Sequence, residues 1–136
     1  MPLAAYPRSF PIRHAGLAAI TADWSSAAKR AMGCTRAQIL INVSAVTDTP
    51  SVVFQIEAYD KLSNAWFPVA KSAAVTGTGQ YVLTLGPGQN EVDDVDTAPV
   101  ISSNNGLLPP KFRLTADGPW GGTDAVTFTA WCNTAP

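Results

Sequence analysis

The chain has 136 residues, of which 46 % are hydrophobic and 14 % are charged, and its formal net charge is −1. One domain of this length buries roughly two-thirds of its unfolded surface, so its core needs neither a metal nor a disulfide. The near-neutral charge excludes general binding to nucleic acid, and no apolar run reaches the roughly 18 residues of a membrane-spanning helix. Because typical domains are about 25 % charged, this composition indicates a surface partly covered by partners, or a secreted β protein.

The first sixteen residues, MPLAAYPRSFPIRHAG, have three prolines in the first eleven positions. Proline fixes φ and lacks an amide donor, so we predict an extended N-terminal arm over residues 1–16 and a single domain over residues 17–136. Solvated tails seldom carry large apolar side chains such as Tyr6, Phe10 and Ile12. We therefore expect the arm to lie on its own body or on a neighbouring subunit, and deletion of residues 2–12 to abolish partner binding while the domain stays folded.

Charge is unevenly divided along the chain. Residues 1–38 hold five basic side chains and one acidic side chain, a net +4, whereas the remainder holds four basic and nine acidic side chains, a net −5. A basic arm on an acidic body favours contact between copies, or with an acidic neighbour. Arg8 and Arg13 are therefore candidate contact residues.

Residues 1–25 do not have the form of a signal peptide, because Pro2, Pro7, Pro11 and Arg13 interrupt any apolar run. We therefore expect synthesis in the cytoplasm.

After the arm, residues 17–24 fit a first strand, and residues 25–33 fit either one or two helical turns or a loop. From there onward apolar and polar side chains alternate with the period of two that is typical of strands. About seven short strands separated by turns predict an all-β fold, an antiparallel β-sandwich or else a barrel. The later strands are expected near residues 39–45, 52–59, 66–71, 81–85, 111–115 and 126–132.

One long inter-strand loop, residues 86–110, interrupts this pattern. Loops beyond about 12–15 residues in a compact domain are usually functional or disordered. Asp93, Asp94 and Asp96 give this loop an acidic run that we expect to face a partner or solvent. Carboxylates also ligate calcium, but the run lacks the glycine and terminal glutamate of a specific calcium loop.

Residues suited to catalysis are scarce. His14 is the only histidine and lies in the arm, so no Ser-His-Asp or Cys-His set can be built without placing the arm over a pocket. Cys34 and Cys132 cannot form a zinc site with one histidine, and no glycine-rich loop is followed by the lysine of a phosphate site. We therefore predict a non-enzymatic protein without cofactor or metal, in which the cysteines are buried hydrophobes or form a disulfide.

Four tryptophans could stack on sugars, but packing or interface anchoring is the commoner role. Trp120 lies in DGPWGG, where a large ring is hard to bury in its own core, and Trp131 alternates away from the core face of its strand. We select Trp120 and Trp131 as candidate contacts, and Trp66 or Trp120 would carry a carbohydrate site.

Five segments of the chain share a recognisable strand-and-turn pattern: NVSAV at 42–46, TPSVVFQIE at 49–57, AAVTGTG at 73–79, and the late LPPKFRLTADG and DAVTFTA. With these segments, about residues 36–130 resemble a family of small tailed-bacteriophage virion proteins. The resemblance implies that the chain is a β-sandwich subunit of the virion. It further implies a capsid decoration (cement) protein, which binds the major capsid protein and copies of itself, often as a trimer. A tail, collar or head-fibre component and a carbohydrate-binding β-sandwich used in host adhesion are the alternatives.

Overall fold

The alternating apolar side chains fold into two stacked β-sheets in a computed structural model, which describes residues 4–94 and 99–136. In chain order the strands are β1 (Ser9–Arg13), β2 (Trp24–Ser25), β3 (Lys29–Arg30), β4 (Arg36–Thr47), β5 (Val53–Asp60), β6 (Ala65–Lys71), β7 (Gly79–Gly86), β8 (Val92–Asp94), β9 (Val100–Asn105), β10 (Lys111–Asp117) and β11 (Ala125–Ala135). The predicted all-β class is confirmed. Over the part of the chain that is described, no helix is long and apolar enough to cross a membrane.

The six-stranded sheet has the order β1-β11-β4-β7-β9-β8, and the five-stranded sheet has the order β2-β10-β5-β6, with β3 also paired to β10. All pairs are antiparallel except β7 with β9, which run parallel. This arrangement is the predicted antiparallel β-sandwich.

The core lies between the two sheets. Burial alternates residue by residue along β4 and β11, as expected for strands with one face inward and one outward. Burying each large side chain contributes roughly 1.5–3 kcal/mol relative to leaving it in water. The largest side chains buried completely are Phe54, Phe112, Phe128, Ile39, Ile41, Ile56, Leu83, Leu85 and Leu114.

The predicted arm lies on its own chain over part of its length. Residues 9–13 form β1, which pairs with β11 at the edge of the six-stranded sheet. Proline has no amide donor for a second neighbouring strand. An edge strand has no such neighbour on its outer side, so β1 tolerates Pro11. Ile12 is buried in the core and Phe10 packs against it.

Residues 25–33 form no helix, so the helical alternative for this segment is wrong. Ser26 pairs with β10 instead: its amide donates to the Leu114 carbonyl at 2.8 Å, and its hydroxyl accepts the Leu114 amide at 3.0 Å. The segment ends in a tight turn at Met32 and Gly33, whose φ angles of 51° and 80° are both in the left-handed region.

The segment 86–110 contains two further strands, β8 and β9. Asn104 on β9 links the two sheets, because its side chain accepts the Lys71 amide and donates to the Lys71 carbonyl, both at 3.2 Å. The hydroxyl of Ser102, also on β9, accepts the Ala73 amide at 3.0 Å. These bonds join β9 to the end of β6 across the side of the sandwich.

Candidate partner-binding surface

The outer face of the six-stranded sheet carries one continuous apolar row. The strand register places Trp131 beside both Pro11 and Leu40, Leu40 beside Val82, and Val82 beside Ile101. Trp131, Leu40 and Ile101 are 43 %, 40 % and 37 % exposed, respectively. We call these five residues the apolar stripe.

Uncharged polar side chains border the apolar stripe on both sides. An apolar centre with a hydrogen-bonding rim is the usual composition of a protein-binding surface, whereas apolar residues scattered singly over a surface have no such meaning. The strand register gives one border as Asn133, Gln38, Thr84 and Ser103, and the other as Thr129, Asn42 and Gln80.

A shallow groove of about 340 Å³ runs beside the stripe, between Trp131, Leu40, Tyr81 and Pro99. The Trp131 indole donates from Nε1 to Asn133 Oδ1 at 3.2 Å. Asn133 is itself held by the Ser9 hydroxyl at 2.7 Å and by Gln38 at 3.2 Å. This network orders Trp131 before any partner arrives, which reduces the entropy lost on binding.

The predicted arm contacts divide into two groups. Tyr6 and Arg8 are exposed, whereas Ile12 and Arg13 are buried and Phe10 is half-buried. Strand pairing explains the difference, because β1 turns Phe10 and Ile12 toward the chain's own core. Ile12, Arg13 and most of Phe10 are therefore occupied within the chain and do not offer a surface to a partner.

Arg13 fixes the end of β1 against the core. Its guanidinium donates to the Phe128 carbonyl at 3.0 Å and to the Ala18 carbonyl at 2.6 Å, and it lies 4.6 Å from the centre of the Phe128 ring. No carboxylate pairs with it among the residues described, and burial lowers its pKa. The two carbonyls and the aromatic ring replace part of the solvation that the cation loses, whereas the buried Nε has no hydrogen-bond partner among the described residues.

We expect Arg13→Ala to lower the free energy of unfolding by about 2–3 kcal/mol, because the buried Phe128 carbonyl and the part-buried Ala18 carbonyl lose charge-assisted donors and the aliphatic stem leaves the core. Urea denaturation of the variant measures the loss. The exposed Arg36 is the control, and Arg36→Ala should change the value by less than about 0.5 kcal/mol. Equal stabilities of the two variants would show that Arg13 is not an anchor.

Trp120 does not join the apolar stripe. The expectation that its own chain cannot accommodate the ring is corrected: the indole folds back over Gly118, donates to Asp23 Oδ1 at 2.8 Å and packs against the core. A Cβ on Gly118 would lie 2.8 Å from the indole Nε1, so only glycine leaves room for this arrangement. Bonds from the Gly118 amide and the Trp120 indole also lower the pKa of Asp23.

Cations lie over the aromatic pair on the outer face of the five-stranded sheet. Arg113 lies 4.3 Å from the Trp66 ring centre and Lys111 lies 4.1 Å from that of Tyr59. Arg113 also pairs with Glu57 at 2.8 Å. These contacts favour a structural role for Trp66 over sugar stacking.

The other predicted positions lie apart from the stripe. His14 is exposed, and Cys34 and Cys132 are both buried and unbonded to each other. Burial raises the pKa of the Cys132 thiol to about 12.

The acidic run can be placed only in part. Asp93 and Asp94 belong to β8, where the structure describes the backbone, and Asp96 lies outside the described residues. The alternative prediction, that this acidic run ligates calcium, therefore also falls outside the described residues. Elsewhere, in residues 4–91 and 99–136, no three His, Cys, Asp or Glu side chains are grouped to hold a metal ion.

Sequence reasoning found only Trp131 of the apolar stripe. A signal for Leu40 was present, since this apolar residue shares the outward phase of β4 with Asn42 and Ser44. The alignment of Leu40 with Val82 and Ile101 depends on the order and register of the strands, and neither can be predicted from a single segment of the sequence.

No protein-family model matches the sequence, and no curated protein matches it. Among solved structures, the crystal structure of the SPBc2 prophage-derived protein YomS is similar, with a TM-score of 0.46 and 9 % sequence identity over 97 % of this chain and 96 % of that chain. A similarity of this size does not assign a family or a function.

Proposed function

We propose that the chain is a non-enzymatic structural protein of a tailed-phage virion, a capsid decoration (cement) protein that binds and stabilises the major capsid protein through the apolar stripe. The single observation that supports binding is the stripe itself: five apolar side chains aligned across five strands on an outward sheet face. On this proposal the protein is made in the host cytoplasm and acts on the capsid surface.

The stripe has the dimensions of an interface centre. Four strand spacings separate β1 from β9, a width of about 19 Å, and a standard interface buries about 800 Å² on each partner. Trp131 is the natural anchor, because tryptophan is enriched among the few residues that dominate binding energy. The uncharged border allows the surrounding contact to form without burying unpaired charges.

The choice of a capsid partner rests on the sequence resemblance to small tailed-phage virion proteins over residues 36–130. A decoration protein needs a stable scaffold and a broad contact surface and no catalytic residues, which agrees with the scarcity of such residues here. A tail, collar or head-fibre position would use the same kind of surface, and the copy number per particle on a quantified gel separates these positions.

Capsid shells assembled without this protein provide the test. We expect Trp131→Ser with Leu40→Ser to weaken co-sedimentation with such shells at least about 30-fold, the effect of losing a central anchor worth 2 kcal/mol or more. Both side chains face outward, so the variant should keep the circular dichroism spectrum and unfolding midpoint of the wild type.

Leu62→Ser is the matched control. Leu62 is 98 % exposed in the turn between β5 and β6, away from the stripe, so its replacement should leave binding unchanged. Equal binding by the stripe variant and the control would remove the stripe from the proposal.

A carbohydrate ligand is the second candidate, favoured by the exposed Trp131 in a shallow groove that is also lined by Tyr81, Asn42 and Gln80. Aromatic rings and amides are the side chains that sugar-binding grooves use. Titration of a panel of glycans into the protein, followed by tryptophan fluorescence, distinguishes a sugar ligand from a capsid partner. A saturable change in fluorescence that Trp131→Ser abolishes favours the sugar, and an unchanged fluorescence across the panel excludes it.

A further inference from the structure

The two ends of the sandwich carry opposite charge. The end at which β4 begins and β11 finishes gathers most of the basic side chains, and we call it the basic end. The end at which β4 finishes and β11 begins gathers aspartates, and we call it the acidic end. Strand β10 contributes to this separation, because it begins with Lys111 and finishes with Asp117.

At the basic end, four segments bring their cations together. The Arg8 guanidinium bonds to the Arg30 carbonyl, and Arg30 is the strand partner of Lys111. Lys29 and Arg8 lie 5.9 Å and 4.8 Å from the Phe10 ring centre. None of these side chains forms a salt bridge within the described residues. The cations of the basic end are therefore Arg8, Lys29, Arg30, Arg36 and Lys111. Asp60 also lies at this end, because β5 finishes beside the start of β10, so the end carries an excess of positive charge.

At the acidic end, hydrogen bonds hold three loops together. Asp23 accepts from the Gly118 amide at 2.9 Å, and the Asp48 carboxylate accepts from the Thr123 hydroxyl. Residues 14–24, 48–52 and 118–124 contain no lysine or arginine. The exposed or half-exposed carboxylates at this end are Asp23, Asp48 and Asp117.

Like charges are crowded at the acidic end. The pKa of Asp117 is raised, first by burial and then by the neighbouring carboxylates of Asp23 and Glu57. A cationic surface placed against this end would relieve the repulsion, just as an anionic surface would relieve the crowding at the basic end.

Both ends also expose apolar side chains that the core does not use. At the basic end, Tyr6 and Leu107 are 62 % and 64 % exposed, and Met32, in a turn with φ in the left-handed region, is 44 % exposed. At the acidic end, Leu17 is half exposed in the loop that leads to Asp23. Each end thus combines an excess of charge of one sign with apolar area.

We propose that copies of this chain associate head to tail, the basic end of one copy docking on the acidic end of the next. Charge complementarity favours a second copy as the partner, because the positive charge of the basic end matches the negative charge of the acidic end. This contact uses neither the apolar stripe nor a capsid, so it stands or falls separately from the proposed function. An interface between two different surfaces leaves one free end of each kind, and the assembly grows as a chain or closes as a ring.

The isolated wild-type protein gives the first test, by light scattering coupled to size-exclusion chromatography. At about 20 mM salt we expect a mass that rises with protein concentration to at least twice the 14.3 kDa of one chain. At about 0.5 M salt, where the screening length falls to about 4 Å, we expect the monomer mass. A monomer at both salt concentrations, or a dimer indifferent to salt, would overturn the proposal without any variant.

Two variants with one neutralised end each give the sharper test. Arg30→Gln with Arg36→Gln removes charge from the basic end, and Asp48→Asn with Asp117→Asn removes it from the acidic end. Asn suits position 48, where φ is 60°. Each variant alone should be monomeric at low salt, and their equimolar mixture should form a dimer and nothing larger, because it contains one intact end of each kind.

Lys71→Gln, on the edge strand β6, is the control for loss of one charge and should assemble like the wild type. Monomers in the mixture, or assemblies by either variant alone, would contradict the head-to-tail contact.

Discussion

Phe128→Ala is expected to lower the free energy of unfolding by about 3–5 kcal/mol, the range for removing a large aromatic side chain from a packed core. Phe128 is 1 % exposed, and its ring makes edge-to-face contacts with Trp24 and Phe54 at centroid distances of 5.2 Å and 5.0 Å. It also supports the Arg13 guanidinium. The substitution therefore removes the point where both sheets and the N-terminal strand meet, and urea denaturation measures the loss.

Thr127→Ala provides the control, because the neighbouring residue points to the outer face of the same strand and is half-buried. Its replacement should change the free energy of unfolding by about 0.5 kcal/mol or less. A loss below about 2 kcal/mol for Phe128→Ala would mean that the surrounding side chains close the cavity or that the ring is not central to the core.

Deletion of residues 2–12 is expected to destabilise the domain by at least about 2 kcal/mol, which is the lower estimate for the buried Ile12 side chain and the half-buried Phe10 side chain together. Loss of β1 also leaves the edge of β11 unpaired, and exposed strand edges promote association between chains. This outcome replaces the expectation from sequence that the domain folds normally without these residues. Thermal unfolding and size-exclusion chromatography at several protein concentrations measure the two effects.

The shorter deletion of residues 2–5 is its control, since it leaves β1 and the 3.0 Å bond from the Tyr6 amide to the Met32 carbonyl in place. It should unfold within a few degrees of the wild type. If the longer deletion did so as well, the pairing of β1 with β11 would contribute nothing to stability.

The longer strands could be predicted because each one repeats a two-residue pattern. Phe112 and Leu114 alternate with basic side chains, and Val126 and Phe128 alternate with threonines, so the local sequence records which face is buried. β9 could not be found this way, because VISSNN has weak strand propensity. Its Ser102 and Asn104 are satisfied by partners on β6 and the residues after it, distant in sequence.

The candidate surface was predictable only in its parts. Trp131 could be assigned to an outward face from its own strand, but the row that joins it to Leu40 and Val82 arises from the order of β11, β4 and β7 in the sheet. Arg13 could not be assigned correctly from sequence, because a cation is expected in water. Its burial depends on two carbonyls and an aromatic ring that the folded chain brings around it.

The bonds between Asn104 and Lys71 have a mechanical consequence. Hydrophobic contacts have no preferred direction, so two sheets held by apolar side chains resist sliding through the interdigitation of those side chains. The paired bonds at 3.2 Å are directional and join the backbone of β6 to a side chain of the opposite sheet. They therefore hold β9 in position against the end of β6 and add a directional restraint on sliding of one sheet over the other.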